Sequence, residues 1–394
     1  MKKEALRLAV VSVLGAIWTG IALGLAVGPV HAQETITVGA IAQLSGAAAF
    51  LGPSEKAAYE MAVKEINEKG GVLGKQLKVI VADDATDPAT ANNVAKRLLG
   101  QDNVAALFGS TTSASREAIL QVVKRAGKTL FFYNAIYEGH ACDPRMFVMG
   151  EVPENQIAPI VPYLQETKGG NTWFFVGNDY NWPQNTATVA KKVIADSKGS
   201  LVGETLVPIG TTDFAPILQK IASTKPRFVL LVMLPSDAVA FMRQFHNQGL
   251  NSSTIPIATL VEQSAIEAMG PAREGLLIPA GFFEDATPEA KAFGQRYRQA
   301  MGESAPRQNF ISINGYESVR IWALAADKAK SVEADAVAKA LPTVSFEGPR
   351  GTVSYSAKTH HATLPIYLAR INADGTPQIE KSFGPVDAGP QCNF

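Results

Sequence analysis

What the 394-residue chain lacks narrows its chemistry first. It has no P-loop, no Gly-x-Gly-x-x-Gly, no Gly-x-Ser-x-Gly and no His-Glu-x-x-His, so the common signatures of phosphate cradling, dinucleotide binding, serine hydrolysis and zinc proteolysis are missing. Histidine is scarce: His360 and His361 adjoin in a stretch that reads as a solvated hairpin loop, and His140 and His246 stand alone. No Cys or His spacing matches a metal site, and neither a metal nor a cofactor is expected. Lys and Arg number 36 against 36 Asp and Glu, with no run of like charge; that balance gives no electrostatic footprint for nucleic acid or an anionic membrane. Low-complexity linkers and short-period repeats are also missing. Asp83-Asp84 follows a strand with no partner base in view, and together with Asp87-Pro88 reads as a loop that caps the next helix. Nothing among these residues argues for turnover.

Only one long apolar stretch is present, at residues 8–27, between a basic start of Lys2, Lys3 and Arg7 and the small residues around Val30-His31-Ala32. That tripartite order predicts a secretion signal, residues 1–32, with retention as a membrane anchor the alternative. Gly15, Gly20, Gly24 and Gly28 interrupt the stretch and favour cleavage, and no Cys stands at the junction to carry a lipid. The mature chain would begin near Gln33 or Glu34 with a formal charge of −2. At about 360 residues it is too long for one comfortable core, and two domains are the default. Cys142 and Cys392 are the only cysteines. In an oxidising compartment they suffice for one disulfide that would pin the C-terminal tail; two unpaired thiols are the alternative.

Apolar runs alternate with helical patterns through the mature chain. Strands are expected at 36–42, 77–84, 104–109 and 129–133, with helices after Pro53, at 89–99 and at 114–126. The first helix sets Ala58, Met61, Ala62 and Ile66 on one face and stops at Gly70-Gly71. This βαβαβαβ order implies a parallel sheet covered on both faces. The pattern then restarts, with strands at 172–178, 201–207, 228–234 and 255–259 among helices at 157–167, 186–197, 214–223 and 237–248. A strand at 275–283 leads back to long helices at 288–302 and 312–330, and the residues from 346 onward read as a hairpin turning at Asp374-Gly375. Two α/β units in tandem, with a crossing near 150–153 and no floppy linker, predict a hinged clamshell.

In an open parallel sheet, ligands collect beyond the carboxyl ends of the strands. That rule selects 43–52, 109–115 and 133–139 from the first unit, and 177–183 and 259–264 from the second. Residues 109–115, GSTTSAS, place five hydroxyls at a helix start, where unsatisfied N–H groups hold a carboxylate or carbonyl oxygen. Capping alone needs one hydroxyl. Tyr133, Tyr137, Tyr180 and Trp182 sit just beyond strands in both units and suit cleft walls, or packing within their own unit. Glu262 is a candidate counter-charge for a ligand ammonium, with a surface carboxylate the plainer reading.

These segments resemble the periplasmic solute-binding proteins of ABC importers, in the group that includes leucine/isoleucine/valine-binding proteins. The resemblance covers nearly all of residues 34–394 and is carried by GAIAQLSGAAAFLG, AVKEINEKGGVLGKQLKVIVADDATDP, GSTTSASREAILQVV and FVGNDYNWP. Tyr137-Glu138-Gly139, Pro153-x-x-Gln156, Asp179-Tyr180 and FEGPRGTVSYSAKTHHA look closest to the amide- and urea-binding branch. The resemblance implies an α/β, type I periplasmic-binding-protein fold: two Rossmann-like lobes with parallel sheets joined by a three-crossover hinge. Lobe one would be 34–153 plus 281–345, and lobe two 154–280 plus 346–394. It implies that Ser113 supplies a ligand-holding hydroxyl, that Tyr133 and Ala135 lie in the next ligand loop (Ala135 through its backbone), and that Tyr180 and Trp182 form a second-lobe aromatic wall.

The chain departs from the branch at Thr111, where an aromatic residue is usual, and at Asn134-Ala135, where Pro followed by Thr or Val is usual. Thr111 in place of an aromatic enlarges the cavity. The expected activity is capture of a small polar solute of the branched-chain amino acid, short amide or urea type, with a small aromatic or other organic acid as the alternative. The implied partner is an ABC permease in the inner membrane, and a monomer in the periplasm is expected. A secreted amide hydrolase and a sensor subunit are the rival classes.

Overall fold

The computed structural model describes residues 34–392 and Phe394; the expected leader lies outside the described residues. The first sheet contains β1 (Thr35–Ala42), β2 (Gln76–Asp83), β3 (Ala106–Gly109), β4 (Leu130–Tyr133) and β5 (Met146–Val148), ordered β2-β1-β3-β4-β5 and parallel throughout. Helices α1 (Gly52–Glu68), α2 (Pro88–Gly100) and α3 (Ser113–Ala126) link its strands. The β3, β4 and β5 sequences are apolar without alternation because both sheet faces are covered there. Register puts Phe108, Phe132 and Phe147 side by side on β3, β4 and β5, with ring centroids 4.8 and 5.8 Å apart. Each such pair contributes about 0.5–1.5 kcal/mol beyond its area. Asp87, not Asp83 or Asp84, caps α2, accepting from Thr90 N at 2.7 Å. Asp83 instead accepts from the Leu44, Ser45 and Ala85 amides.

The chain leaves the first sheet after β5 through α4 (Pro153–Gln156) and α5 (Ile160–Lys168). It then builds β6 (Thr172–Asn178), α6 (Asn181–Asp196), β7 (Ser200–Val207), α7 (Ala215–Thr224), β8 (Phe228–Val232), α8 (Pro235–Asn247), β9 (Ile255–Ala258), α9 (Gln263–Met269) and β10 (Leu277–Ala280). After β10 it returns to the first sheet as α10 (Pro288–Met301), α11 (Phe310–Ala329) and α12 (Ala334–Ala340), with α11 packed along α1. A small antiparallel ladder, β11 (Phe346–Gly348) with β12 (Gly351–Val353), precedes the hairpin of β13 (Leu364–Ile371) and β14 (Pro377–Val386). The second sheet runs β14-β13-β10-β9-β8-β6-β7. Its β7-to-β10 part is parallel, and β13 and β14 add an antiparallel edge. Among the described residues no helix is long and apolar enough to cross a membrane.

Residues 346–362, expected with the second lobe, lie against the first-sheet elements. Phe346 packs on Tyr316 of α11 at 6.0 Å, Tyr355 packs on Phe132 and Phe147, and His361 forms a bridge with Val148 of β5. The His360–His361 pair is no solvated loop: His360 stacks between Phe147 and Phe394 and His361 is buried. Cys142 and Cys392 form a disulfide, holding the C-terminal tail beside the loop after β4.

Three passages join the two sheets, and the first two meet beside a buried group that includes Arg350. Glu151, on the first, accepts from Gly281 N, on the second, at 2.9 Å. Arg350, ahead of the third, donates to Glu317 of α11 at 2.7 Å and to Asn314 Oδ1 at 2.6 Å. Asn314 also reaches the other Glu151 oxygen at 3.5 Å. Burial raises the Glu317 carboxyl to about 7, against the pull of Arg350, and raises Glu151 as well.

Candidate functional site

The loops after β1, β3 and β4 gather at one end of the first sheet. Gly109 ends β3 at φ +98°, and a β-carbon there would stand 2.2 Å from the Ile41 carbonyl oxygen and 2.9 Å from the Tyr59 hydroxyl, so only glycine lets β3 turn into α3 at this point. The loop after β4 is tied down by Asn134, whose amide donates to Tyr59 at 3.1 Å and accepts from Ser318 at 2.7 Å. Asn314 holds its carbonyl at 2.8 Å. Tyr137 N donates to the Glu151 carbonyl at 3.0 Å, linking this loop to the first passage.

Between these loops lies a buried polar group. Ser113 Oγ donates to Glu138 Oε2 at 2.5 Å and accepts from Arg116 Nη1 at 3.1 Å. Arg116 Nη2 donates to Glu138 Oε1 and to Glu117 Oε1, each at 2.8 Å. The guanidinium lies 5.2 Å from the Tyr133 ring centre and 4.7 Å from that of Tyr137, a cation–π contact with each of two mutually perpendicular rings. Burial alone would lower the Arg116 guanidinium, and Glu138, with Tyr133 and Glu117, together more than offset it, so the group stays charged. Burial pushes the Tyr133 and Tyr137 phenols up, against Arg116.

The second sheet sends Tyr180 and Trp182 from the start of α6, with ring centroids 6.2 Å apart. Burial, then the neighbouring Tyr133 and Glu138, push the Tyr180 phenol well up, and the next residue, Asn181, shares a crevice with Arg116 and Glu138. A crevice of about 870 Å³, mouth included, runs between Arg116, Glu138 and His140 on one side and Asn181, Asn185 and Thr188 on the other. Ser236 Oγ of α8 donates to the Ala47 carbonyl at 2.8 Å, a hydrogen bond between the two sides.

Of the residues expected at the site, Ser113, Tyr133, Tyr137 and Tyr180 come together. Trp182 is buried beside Tyr180 in the α6 first turn. Thr111 turns away: its hydroxyl hydrogen-bonds Gln43 Oε1, beside a buried Asp84 that Gln43 and Ser110 also approach. The Thr111 carbonyl accepts from Tyr133 at 2.6 Å. Ala135 is packed rather than open; a β-carbon on Gly150 would fall 1.7 Å from its carbonyl oxygen. Glu262 is neither exposed nor in this group. It caps α9, accepting from Ser264 N and Ala265 N at 2.8 Å each, and burial raises its carboxyl to about 7. It lines a separate pocket with Phe282, Arg307 and Phe310.

The five hydroxyls of residues 109–115 divide their work. Thr112 does the capping, accepting from Ser115 N at 3.1 Å; Ser110, Thr111 and Ser113 bond other side chains, and Ser115 Oγ has no partner among the described residues. Arg116 and Glu138 were missed as site residues, although Arg116 lies three positions after Ser113 and so on the same helix face. His361 was missed as a partner of Tyr137 Oη, 2.5 Å away, and no local signal carried it.

The family model described as periplasmic binding protein matches residues 35–376. The Leu/Ile/Val-binding protein homolog 7 of Brucella abortus is 27% identical over 355 residues, covering 84% of this chain and 86% of its own. The branched-chain amino acid transporter substrate binding protein LivJ from Streptococcus pneumoniae, solved with isoleucine, superposes with a TM-score of 0.78 at 23% identity, covering 90% of this chain and 99% of that one. A solute binding protein of an ABC transporter from R. palustris, solved with 4-hydroxybenzoate, gives 0.80 at 22% identity, covering 90% and 97%.

Proposed function

The chain belongs to the periplasmic binding protein family, and from that premise we propose that it is an extracytoplasmic receptor that captures a small amino acid or amide between its two lobes and delivers it to an ABC permease. The observation that carries this is the crevice that Arg116 and Glu138, tied to Ser113, Tyr133 and Tyr137, share with Asn181, Asn185 and Thr188 of the other side. A solute held there bridges both sides and shifts an open–closed equilibrium toward the closed form. The first-turn N–H groups of α3 suit the oxygen end of such a solute, and the tyrosine rings give apolar walls. The lobes divide where the three passages run, at 149–153, 281–287 and 354–363. The chain works as an exported monomer without its first 32 residues and turns nothing over. A small aromatic acid is the second reading, favoured by the number of rings around the group.

A thermal-shift screen of protein unfolded and refolded to strip carried-over solute tests the proposal. The panel holds leucine, isoleucine, valine, acetamide, urea, benzoate and 4-hydroxybenzoate. A solute at a hundred times its dissociation constant adds about 2.7 kcal/mol, and an amino acid or amide is expected to do so and to be recovered intact. A rise with the two aromatic acids alone favours the second reading; no rise with any of them contradicts both.

A further inference from the structure

We propose that residues 387–392 form a fourth connection between the two lobes, locked by the Cys142–Cys392 disulfide, and that reduction of this bond by a dithiol frees one wall of the crevice and releases solute. The release rests on the crevice being the solute site; the connection itself does not.

The chain order makes the connection. β14 belongs to the second sheet, and Val386 at its end lies opposite Leu364 at the start of β13. Cys392, just beyond, is bonded to Cys142 in the loop between β4 and β5 of the first sheet. The bond closes a ring with a sequence separation of 250 residues, which takes in every strand of the second sheet. Residues 387–392 are irregular. Gly389 N donates to Asp387 Oδ1 and Gln391 Nε2 to the Ala388 carbonyl, each at 2.6 Å. These bonds are internal and do not by themselves fasten the segment to the first lobe.

What the segment grips is the crevice wall. Gly139, His140 and Ala141 line the crevice beside Arg116 and Glu138. Gln391 is buried; its Oε1 accepts from His140 N at 2.8 Å, and its carbonyl faces His140 Nδ1 at 3.1 Å. His140 stands at φ +60°, a conformation that residues with a side chain rarely adopt, and it persists because bonds such as these hold it. Gly139, at φ +88°, packs so closely on Gln391 that a β-carbon would lie 2.4 Å from the same Oε1. Gln391 adjoins Cys392, so the disulfide keeps in place the side chain that shapes 139–140. A wall fixed from behind in this way is preorganised; once it is free, part of the binding energy goes into ordering it.

The bond is within reach of a reductant. Cys142 is exposed and Cys392 half-buried, and exposed disulfides are the labile ones. A thiolate of the dithiol attacks one sulfur, and the other leaves as a thiolate that takes up a proton. The second thiol of the reductant then closes its own disulfide and displaces the first cysteine. Two electrons pass to the protein pair, which gains two hydrogens, and the dithiol leaves as a cyclic disulfide.

The test is hydrogen–deuterium exchange and calorimetric titration of the mature chain, oxidised and after dithiothreitol, with intact mass confirming the two added hydrogens. Reduction is expected to raise exchange in 137–142 and to leave β6 and β8 unchanged. With the panel solute that gives the largest thermal shift, the dissociation constant is expected to rise about tenfold, as it does when the wall is ordered in about a tenth of the molecules. Reoxidation restores it. Cys142→Ser/Cys392→Ser is expected to match the reduced chain and to ignore dithiothreitol. Gln391→Ala, with the disulfide intact, is expected to raise exchange in 137–142 as well. A bond that dithiothreitol leaves intact in the folded chain overturns the proposal, as does unchanged exchange in 137–142 or an unchanged dissociation constant after reduction. If the reduced chain does not stay folded, unchanged exchange in Gln391→Ala overturns it alone. Raised exchange with no solute bound in either state supports the connection and contradicts the receptor reading.

Discussion

Two buried arginines invite comparison. Arg116 at the cleft and Arg350 at the hinge each stand among two carboxylates, Glu117 and Glu138 for the first, Glu317 and Glu151 for the second. At the cleft, the Glu117 side chain is 46% exposed, and the crevice reaches Glu138. At the hinge both carboxylates are fully buried, and Arg350 Nη1 and Glu317 Oε1 have no partner among the described residues. The same three charges therefore do different work. Where water reaches them they orient a hydroxyl; where it does not they tie two chain passages to α11 and raise a carboxyl.

The largest consequence is for stability. Arg350→Ala leaves two buried carboxylates facing each other and is expected to cost about 3–5 kcal/mol in urea unfolding. A cost below about 1 kcal/mol would mean that the hinge is hydrated in solution and the contrast false. Arg116→Ala is expected to cost less, about 2 kcal/mol, because its carboxylates keep contact with water, and to weaken solute binding, which Arg350→Ala reaches only through the fold.

The pH profile sharpens the contrast. Glu317 is raised from the ordinary 4.5 to about 7 in the folded state, so the folded chain holds a proton that the unfolded chain has released. Its stabilising contribution is complete below about 4.5 and is lost as pH rises toward about 7, on the order of 3 kcal/mol across that window. Glu262 adds a slope of the same sign. Melting temperature is expected to fall over this range, and Glu317→Gln to flatten part of the fall; an unchanged slope would clear the hinge of any role. The smallest effect is at Ser113: Ser113→Ala is expected to lose about 1 kcal/mol of affinity with little change in melting temperature, read by titration and thermal scan.

Most parallel strands of both sheets were legible as apolar runs, broken chiefly in the edge strands β2 and β7, and the turn-back after Ala280 fell inside the expected 275–283. What escaped was short or non-local. β5 is three residues with no period to read, and β11–β12 turns on Pro349-Arg350 inside a stretch already assigned to a longer hairpin. His361 looked solvated because its partner Tyr137 is 224 positions away. Glu262 looked like surface because a buried helix cap and an exposed carboxylate have the same local sequence. The hydroxyl-rich loop was found, but hydroxyl count could not say where the protons point; that depends on Glu138, Gln43 and His361, which only the fold assembles.

The most direct test of the account is hydrogen–deuterium exchange on the stripped chain, with and without the panel solute that gives the largest thermal shift. Solute bridging the cleft predicts added protection in 109–116 and 133–139 together with 178–182, from both lobes at once. Protection confined to one lobe, or absent from all three segments, would contradict it.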